Sequence, residues 1–519
     1  MTEETRSVPA GTAANPRLAV LLAMAMFVLV VDTSLMNVSI SSVVKDLDTT
    51  VSGVQSAIAL EALVSAAFIL IGSKVGDLIG RKRAYLLGLL GYAIGALAMA
   101  LAQSLTAIIV FWALIGGLGA SLLLPAMQSL IHGNFEGAAQ VKAYAMVGAA
   151  AALAAAVGPL LGGFITTYLS WRIAFLLEVL VIAIVVTGQH LVHDVPYTGS
   201  RRVDVVGAIL SVLGMGGIVL SVLVWQEGGE FVGLIMATGA IALVAFIRWL
   251  VRRKRQGKPT LLDPGLFSSA VYRLGISGQM LQQIALGGTM IVLPIYLQMV
   301  LEYNAMQAGL SLAPLSLSMF GTAILAEKKA GGRRPASIIR WGFTSLTVGL
   351  LLLIPIVPRA DSGWILIGPL IIAGVGLGLL VSQLNNYTLG PISEERVSEA
   401  AGVNSAAGSF GLAFAGAIML AALSFTFTKL ADSSTVLPPA QQEQVAQALE
   451  DDAEVMSNTE LETQLAKQPP AIRDEIIRIN TDARPIALQV ALGIPILAGL
   501  AGLLNSFRMV RATRVTPDD

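Results

Sequence analysis

Three carboxylates stand inside otherwise apolar stretches of this sequence: Asp32, Glu61 and Glu178. A carboxylate in such a setting must be neutralised, paired or hydrated. Asp32 and Glu61 are each about 12 Å, and Glu178 about 8 Å, from one end of its apolar stretch at 1.5 Å rise per residue. Because two buried carboxylates at one depth should not both be ionised at neutral pH, one of them can hold and release a proton. The alternative for each is a packing role, bonded to local hydroxyl groups.

The composition indicates what kind of structure surrounds these carboxylates. Of 519 residues, 55% are hydrophobic and only 13% are charged, against about a quarter in soluble domains. At roughly 20 apolar residues per membrane crossing, this content supports about fourteen transmembrane helices. It excludes a soluble enzyme, a nucleic-acid binder and a disordered protein, and the unbroken apolar runs exclude an outer-membrane barrel. With no Cys and three His, neither a thiolate nor a histidine-built metal site is expected.

We therefore predict an all-α integral membrane protein with fourteen transmembrane helices, whose ends are set to within about three residues. Glycine-containing basic runs after predicted helices 2 and 10 form a weak internal repeat, at residues 80–83 and 332–335. Two related bundles around a midplane site are common in transporters. The predicted helices are 18–40, 54–72, 84–102, 106–126, 143–165, 173–189, 205–224, 231–250, 272–298, 306–326, 338–357, 363–386, 402–426 and 486–507.

The order of these helices predicts two six-helix bundles and an insert. Residues 1–190 form the first bundle, and 272–519 form the second. Residues 191–271 hold two inserted helices and a cationic cytoplasmic linker. The second bundle contains one long polar loop, 427–485, whose apolar residues recur at helical spacing. We expect it to carry short amphipathic helices on the outer face, with a gating or docking role as one reading and a plain spacer as the other.

The distribution of basic residues predicts the orientation in the cytoplasmic membrane. With the N-terminus inside, the inside segments hold most of the 33 Lys and Arg residues. The short outer loops hold only Lys45, Arg172 and Arg359, and no basic residue falls in the interior of a predicted helix. Since basic residues concentrate in cytoplasmic loops, both termini should be cytoplasmic. We expect a monomer whose surroundings are membrane lipids.

The predicted loop after helix 2 carries the first recognisable motif, GSKVGDLIGRKR at residues 72–83. Its glycines permit a tight reversal of the chain, and its basic residues hold the loop inside. The stretch resembles the loop signature of the major facilitator superfamily, G-x-L-A-D-R-x-G-R-K, although Leu78 replaces the first Arg. The resemblance implies a cytoplasmic latch between the two bundles, and a purely topogenic loop is the alternative. The latch residues are Gly76, Asp77, Gly80, Arg81 and Lys82.

Two further segments extend the resemblance. Gly158, Pro159, Gly162 and Gly163 in predicted helix 5 match the G-P-x-x-G-G signature of the antiporter branches. Residues 31–40, VDTSLMNVSI, are similar to the helix-1 segment L-D-x-T-I-V-N-V-A-L-P of the fourteen-helix drug:proton antiporters, the multidrug efflux family. The resemblance implies export of lipophilic, cationic or neutral small molecules in exchange for protons, by alternating access. It implies no cofactor beyond the proton gradient.

One position departs from that family. Its helix-4 signature places an Arg shortly before a Gly-x-Gly-Ala step, and this chain has the step at 117–120 but Ala113 at the Arg position. A proton step that uses that Arg as a counter-charge cannot work in the same way here.

A cargo pocket of this kind is mostly apolar with a few polar groups. The seventeen Met residues can supply an adaptable lining. A lipid or endogenous metabolite is the alternative cargo, and a membrane receptor or enzyme is the alternative class, but no catalytic motif accompanies the helices. The polar pocket candidates are Asn37, Gln279, Gln282, Gln283, Gln383, Asn385, Asn386 and Asn404.

Overall fold

The regular structure of the described residues is helical, with no strand among them. Twelve of their helices are long and apolar enough to cross a membrane, and α7 holds a shorter apolar stretch, Val205–Ser221. The computed structural model describes residues 16–49, 51–194, 204–226, 231–329, 334–359, 362–393, 396–434, 436–438, 442, 461–462 and 465–515. The long helices are α1 (Pro16–Leu47), α2 (Val51–Ile79), α3 (Arg81–Leu101), α4 (Leu105–Asn134), α5 (Gly137–Tyr168), α6 (Trp171–Thr187), α7 (Val205–Gln226), α8 (Val232–Arg255), α9 (Ala270–Ile295), α10 (Ala305–Lys329), α11 (Pro335–Ile356), α12 (Ile367–Leu389), α13 (Val397–Asp432) and α14 (Pro470–Val515).

Helices α1–α6 contribute most residues of one large apolar core, and helices α9–α14 contribute most residues of a second. Leu22 and Tyr85 are buried in the first core, and Phe343 and Leu377 in the second. The two halves interlock, because Ala400 and Tyr272 from the second half join the first core and Ala155 from the first joins the second. The halves meet chiefly along α5 with α10 and along α2 with α13.

The inserted helices α7 and α8 pack against each other through glycines. A side chain at Gly217 would meet the Cα of Gly239 at 2.8 Å, and one at Gly214 would meet the Leu243 amide at 2.9 Å. These glycines therefore let the two backbones approach closely. Helix α7 also packs against α2 and α13, so the insert contacts both halves of the molecule.

Several predicted helix ends are wrong. Helix α2 continues through Lys74 and Asp77 to Ile79, so most of the predicted latch loop is helical and Lys74 is a buried basic residue within a helix. Arg248 likewise lies inside α8. The hydropathy of the sequence marks only the apolar part of a helix, whereas the hydrogen-bonded backbone continues into the polar region beyond it.

The polar segment 427–485 is shorter than predicted, because α13 extends to Asp432 and α14 begins at Pro470. Between these helices, Leu437 and Leu461 join the second core together with Ile476 of α14. The predicted pairs Leu461 with Leu465 and Ile472 with Ile476 thus lie on or beside that core. The predicted pair Val445 and Leu449 lies outside the described residues.

Candidate functional site

Asp32 lies at the centre of the first half, enclosed by two aromatic donors. Its carboxylate is 1% exposed, and Oδ2 accepts hydrogen bonds from the Tyr92 hydroxyl of α3 and from Trp112 Nε1 of α4, the latter at 2.8 Å. Its second oxygen, Oδ1, has no hydrogen-bond partner. Both donors are neutral, so they stabilise the carboxylate without cancelling its charge.

The glycines of α4 bring the neighbouring helices close to this carboxylate. A Cβ at Gly117 would lie 2.8 Å from the Glu61 carbonyl oxygen of α2, and one at Gly119 would lie 2.9 Å from the Tyr92 amide of α3. The turn that carries Trp112 is π-helical, from Ile108 to Gly116, and such widened turns are frequent at functional sites. The Gly-x-Gly step therefore positions Glu61 and Tyr92 around Asp32.

The structure brings all three predicted carboxylates together. Asp32 interacts electrostatically with both Glu61 and Glu178, and Tyr92 interacts with all three. Glu178 is 3% exposed and neither of its oxygens has a hydrogen-bond partner. Glu178 lies on α6, and its side chain points into the same interior. Tyr92 and Trp112 were missed, although an aromatic residue with a polar tip inside an apolar helix is a usable signal.

Ala113 is fully buried beside Trp112. At the position where the family that this chain resembles has an Arg, this chain therefore has an apolar side chain beside a neutral indole donor. Among the described residues, two neutral donors bond to Asp32 and two further carboxylates interact with it. The cluster of Asp32, Glu61 and Glu178 can consequently hold protons, but three negative charges without a counter-charge cannot coexist there.

The predicted latch residues lie at the junction of α2 and α3. Asp77 and Arg81 form a buried ion pair at 3.6 Å, and Gly76 packs against α3. Gly80 has φ +102°, a conformation that favours glycine, and a Cβ there would lie 2.6 Å from Asp194 Oδ2. Lys82 takes part through its backbone amide, which donates to Asp194 Oδ1 at 3.1 Å.

Asp77 interacts with Ser398 of α13, in the other half. A further contact between the halves at this end of the molecule is made one turn before Asp77, by a residue that the sequence did not single out. Ser73 Oγ donates to the Ser398 carbonyl oxygen of α13 at 2.8 Å, and the two hydroxyl oxygens are 3.2 Å apart. Gly402 of α13 packs on the Ser73 side chain. Glu399 lies in the same turn of α13, and its Oε2 accepts a hydrogen bond from the Asp263 backbone amide at 3.0 Å.

The helix-5 motif lies at the opposite end of the seam between the halves. Gly158 packs on Ser34 and Gly162 on Val38, both in α1, while the Pro159 carbonyl faces Gly309 of α10. Gly163 is buried.

Proline lacks an amide hydrogen, so Pro159 leaves the carbonyl of Ala155, four residues earlier, without its usual helical partner. Ser316 of α10 donates to that carbonyl at 3.3 Å. The motif therefore holds α5 against α1 in its own half and presents backbone groups to α10 in the other half.

The predicted pocket residues divide into two groups. Gln279 and Gln283 of α9 lie beside Gly408 of α13. Gln282 is buried and bonded to Gln283 at 3.4 Å.

The second group lies nearer the Ser73 end of the molecule. Asn404 donates to Asn385 Oδ1 at 2.9 Å, Gln383 is buried and Asn386 is half-buried. Next to Asn404, Ser405 accepts a bond from Gln128 of α4 at 3.0 Å, so this group adjoins a contact between the halves. Asn37 is half-buried on α1, and the structure does not bring it into either group.

Comparison with known proteins identifies the family. The model of the Major Facilitator Superfamily matches residues 22–201 and 197–416, which is most of the chain. The chain belongs to the Major Facilitator Superfamily. It is therefore a multi-pass membrane transport protein and not an enzyme.

Several similar proteins are named for antibiotic or drug resistance or for antibiotic export. The chain is 30% identical to a puromycin resistance protein of Streptomyces alboniger over 80% of this chain and 84% of that protein. It is 27% identical to a multidrug resistance protein of Mycobacterium tuberculosis over 82% and 80%. It is 28% identical to a cephamycin export protein of Amycolatopsis lactamdurans over 77% and 83%.

Solved structures agree at the level of the fold. A proton:xylose symporter of the Major Facilitator Superfamily superposes with a TM-score of 0.58 at 11% identity, covering 95% of this chain and 94% of that one. A human organic anion transporter gives 0.55 at 12% identity, covering 93% and 99%.

Proposed function

We propose that this protein exports lipophilic small molecules, cationic or neutral, across the cytoplasmic membrane in exchange for protons by alternating access. The names of its relatives, which refer to antibiotic and drug resistance and to cephamycin export, support the export of antibiotics and drugs. Exchange for protons is supported by one observation above all. The first half encloses Asp32 together with Glu61 and Glu178, and the donors that bond to Asp32 among the described residues are both neutral.

In this proposal Asp32 is the main proton carrier, and Glu61 and Glu178 share its proton. When Asp32 is protonated, its oxygens accept hydrogen bonds from Tyr92 and Trp112 less strongly, because a charged acceptor binds donors more tightly than a neutral one. Since those donors lie on α3 and α4, loss of the proton tightens α1 against both helices. Cargo need not touch Asp32, which is 1% exposed. Among the described residues, Asp32 is acted on by two neutral donors and two carboxylates, and a negatively charged cluster of this kind favours cationic or neutral cargo over anions.

We further propose fourteen membrane spans, with α7 and α13 added to the twelve strongest, and the division 1–190, 191–271 and 272–519. An even number of spans returns the C-terminus to the side of the N-terminus, which the basic asymmetry assigns to the cytoplasm. Cysteines at exposed Ser433 and at Ser457 should react with an impermeant maleimide in intact cells, and one at Thr516 should not. Ser434 is unsuitable because its side chain is buried. The reverse pattern would overturn the orientation.

The transport proposal is tested in everted membrane vesicles with a panel of lipophilic cations, neutral drugs, lipids and amino acids. We expect uptake of lipophilic cations that depends on a proton gradient and collapses with a protonophore. Asp32→Asn should abolish the gradient-dependent part. Uptake of lipids or amino acids alone would favour the alternative cargo, and uptake without a gradient would contradict proton exchange.

A further inference from the structure

The segment that joins the inserted helix α8 to α9 is packed into the protein rather than loosely tethered. Leu261, Leu262 and Leu266 are each at most 5% exposed and belong to the core that both halves share. Asp263 caps the short helix Pro264–Ser268, and its Oδ1 accepts a hydrogen bond from the amide two residues later at 2.7 Å. The position of Asp263 is therefore fixed by the chain on either side of it.

Asp263 joins the end of α8 to the beginning of α13. Its carboxylate forms an ion pair with Lys254 of α8, and its Oδ2 lies 3.7 Å from an Arg396 guanidinium nitrogen just before α13. Its backbone amide donates to Glu399 Oε2 at 3.0 Å. Although burial acts in the opposite direction, the bond from Lys254 helps hold the pKa of Asp263 below its usual value. We refer to Lys254, Asp263 and Arg396 as the linker ion cluster.

The first turn of α13, which carries Glu399, also contacts the other half of the molecule. Ser398 bonds to Ser73 of α2, and the next residue, Glu399, bonds to Asp263. The first turn of α13 is thus held by α2 on one side and by the linker on the other. A displacement of the linker would move Ser398 relative to Ser73.

The insert is also attached at the seam itself. Val219 of α7 is 4% exposed and packs with Leu63 of α2, and Phe410 of α13 borders the same small cluster. Gly216 of α7 faces Ala67 of α2, with 3.7 Å between the Ala67 Cβ and a Cβ added at Gly216. The inserted pair therefore contacts α2 and α13 through α7 and reaches the beginning of α13 through Lys254 and Asp263.

We propose that Asp263 is a positioning residue for the conformation in which Ser73 of α2 contacts Ser398 of α13. We refer to this contact as the gate, and through Asp263 the inserted helices oppose its opening. The proposal rests on the proposed alternating-access cycle. Opening at this end separates α2 from α13, so the turn that carries Ser398 must leave Ser73. The linker ion cluster ties that turn to α8, whose partner α7 lies on α2, and so opposes the separation. The insert then sets the ease of opening without touching cargo or protons.

The test uses the absence of cysteine from the chain. Ser73→Cys and Ser398→Cys together place two thiols where hydroxyl oxygens are 3.2 Å apart, and the rate of their oxidative cross-linking reports closure of the gate. In this background Asp263→Asn and Lys254→Gln should each slow cross-linking about two- to fivefold, the range of a partly exposed ion pair. Because the ion pair lost in Lys254→Gln is one of the two lost in Asp263→Asn, the double variant should be no slower than Asp263→Asn alone.

Asp474→Asn is the matched control, since it removes an exposed ion pair with Arg473 at the other end of the molecule, and it should leave the rate unchanged. Each variant is first checked for normal membrane abundance, and Lys254→Gln serves if Asp263→Asn folds poorly. Cross-linking is scored without cargo or gradient and efflux is scored separately. A failure of efflux in the Cys-free parent would therefore count against the proposed function alone. Equal cross-linking rates in Asp263→Asn, Lys254→Gln and Asp474→Asn would overturn the role of Asp263.

Discussion

The contact between Gly309 and Pro159 gives the most quantitative prediction about the seam between the halves. In Gly309→Ala the new Cβ would lie 2.7 Å from the Pro159 carbonyl oxygen and 2.9 Å from its carbon. Ordinary contact begins at 3.4 Å, so α5 and α10 must separate locally by about 0.7 Å. These are backbone atoms of a packed helix and cannot rotate away. Overpacking of this kind costs about 1–3 kcal/mol, which applies only while the two helices touch.

Because this free-energy cost applies only when α5 and α10 are in contact, it shifts the conformational equilibrium toward the state in which they are separated. At about 1.4 kcal/mol per tenfold change, the shift is roughly 5- to 150-fold. The reporter is a cysteine at Ala155, which is 7% exposed at this contact. Its labelling by a small charged thiol reagent added to intact cells should accelerate by that factor in Gly309→Ala, and efflux should fall because closure at this end is impaired.

Gly321→Ala is the matched control on the same helix, because a Cβ there meets nothing within 4 Å. Both substitutions gain the same intrinsic helix propensity of about 1 kcal/mol, so their comparison isolates the contact with Pro159. If position 155 labels equally fast in the two variants, the α5–α10 contact does not open during cycling and the inference from the close approach is refuted.

Four further outcomes follow from the site. Asp32→Asn should remove gradient-driven efflux, and Glu61→Gln should reduce it less. An unchanged pH profile of efflux in Asp32→Asn would indicate that Glu178 carries the proton instead. Asp77→Asn should abolish transport at near-normal membrane abundance, and full activity would reduce the latch to a topogenic loop. Ser316→Ala leaves the Ala155 carbonyl without its donor and should weaken the closed contact by about 1–3 kcal/mol, measured by the position-155 labelling rate. Arg478, helped by Ser434, holds the pKa of Glu475 at about 2, below the ordinary 4.5. The interaction of Arg478 with Glu475 therefore stabilises the protein fully above pH 4.5, and this stabilisation is lost as the pH falls toward 2. The hydrogen-exchange protection of residues 470–480, corrected for the intrinsic pH dependence of exchange, should be equal at pH 7 and pH 5.

Much of the fold could be predicted from the sequence, because a membrane crossing requires a long apolar run and each run is visible without its neighbours. Each of the helices α1 to α14 overlaps a predicted helix. The ends were wrong where polar residues continue the helix, as at Lys74 and Asp77 in α2 and before residue 486 in α14. The bonding needs of a helical backbone do not stop where its side chains become polar.

The candidate site was only partly predictable. Asp32 stands out because a carboxylate in an apolar run is costly and demands an explanation. The polar tips of Tyr92 and Trp112 are a weaker signal, since aromatic residues are ordinary in membrane helices. Nothing in the segment around Glu178 indicates that α6 faces Asp32, which lies 146 positions earlier.

The sequence by itself determined the helical class, the positions of the apolar runs, the family motifs and the carboxylates, because these depend on residue type and local spacing. Only the tertiary structure decided which groups meet: the indole that reaches Asp32, the serine pair at 73 and 398, the Ala155 carbonyl that Pro159 frees for Ser316, and the ion pair between Lys254 and Asp263. Contacts between α1 and α4, or between α2 and α13, depend on how helices distant in the chain pack against one another. No local pattern along the chain encodes that packing, and small residues such as Gly117 and Gly309 reveal their part in it only once the facing backbone is known.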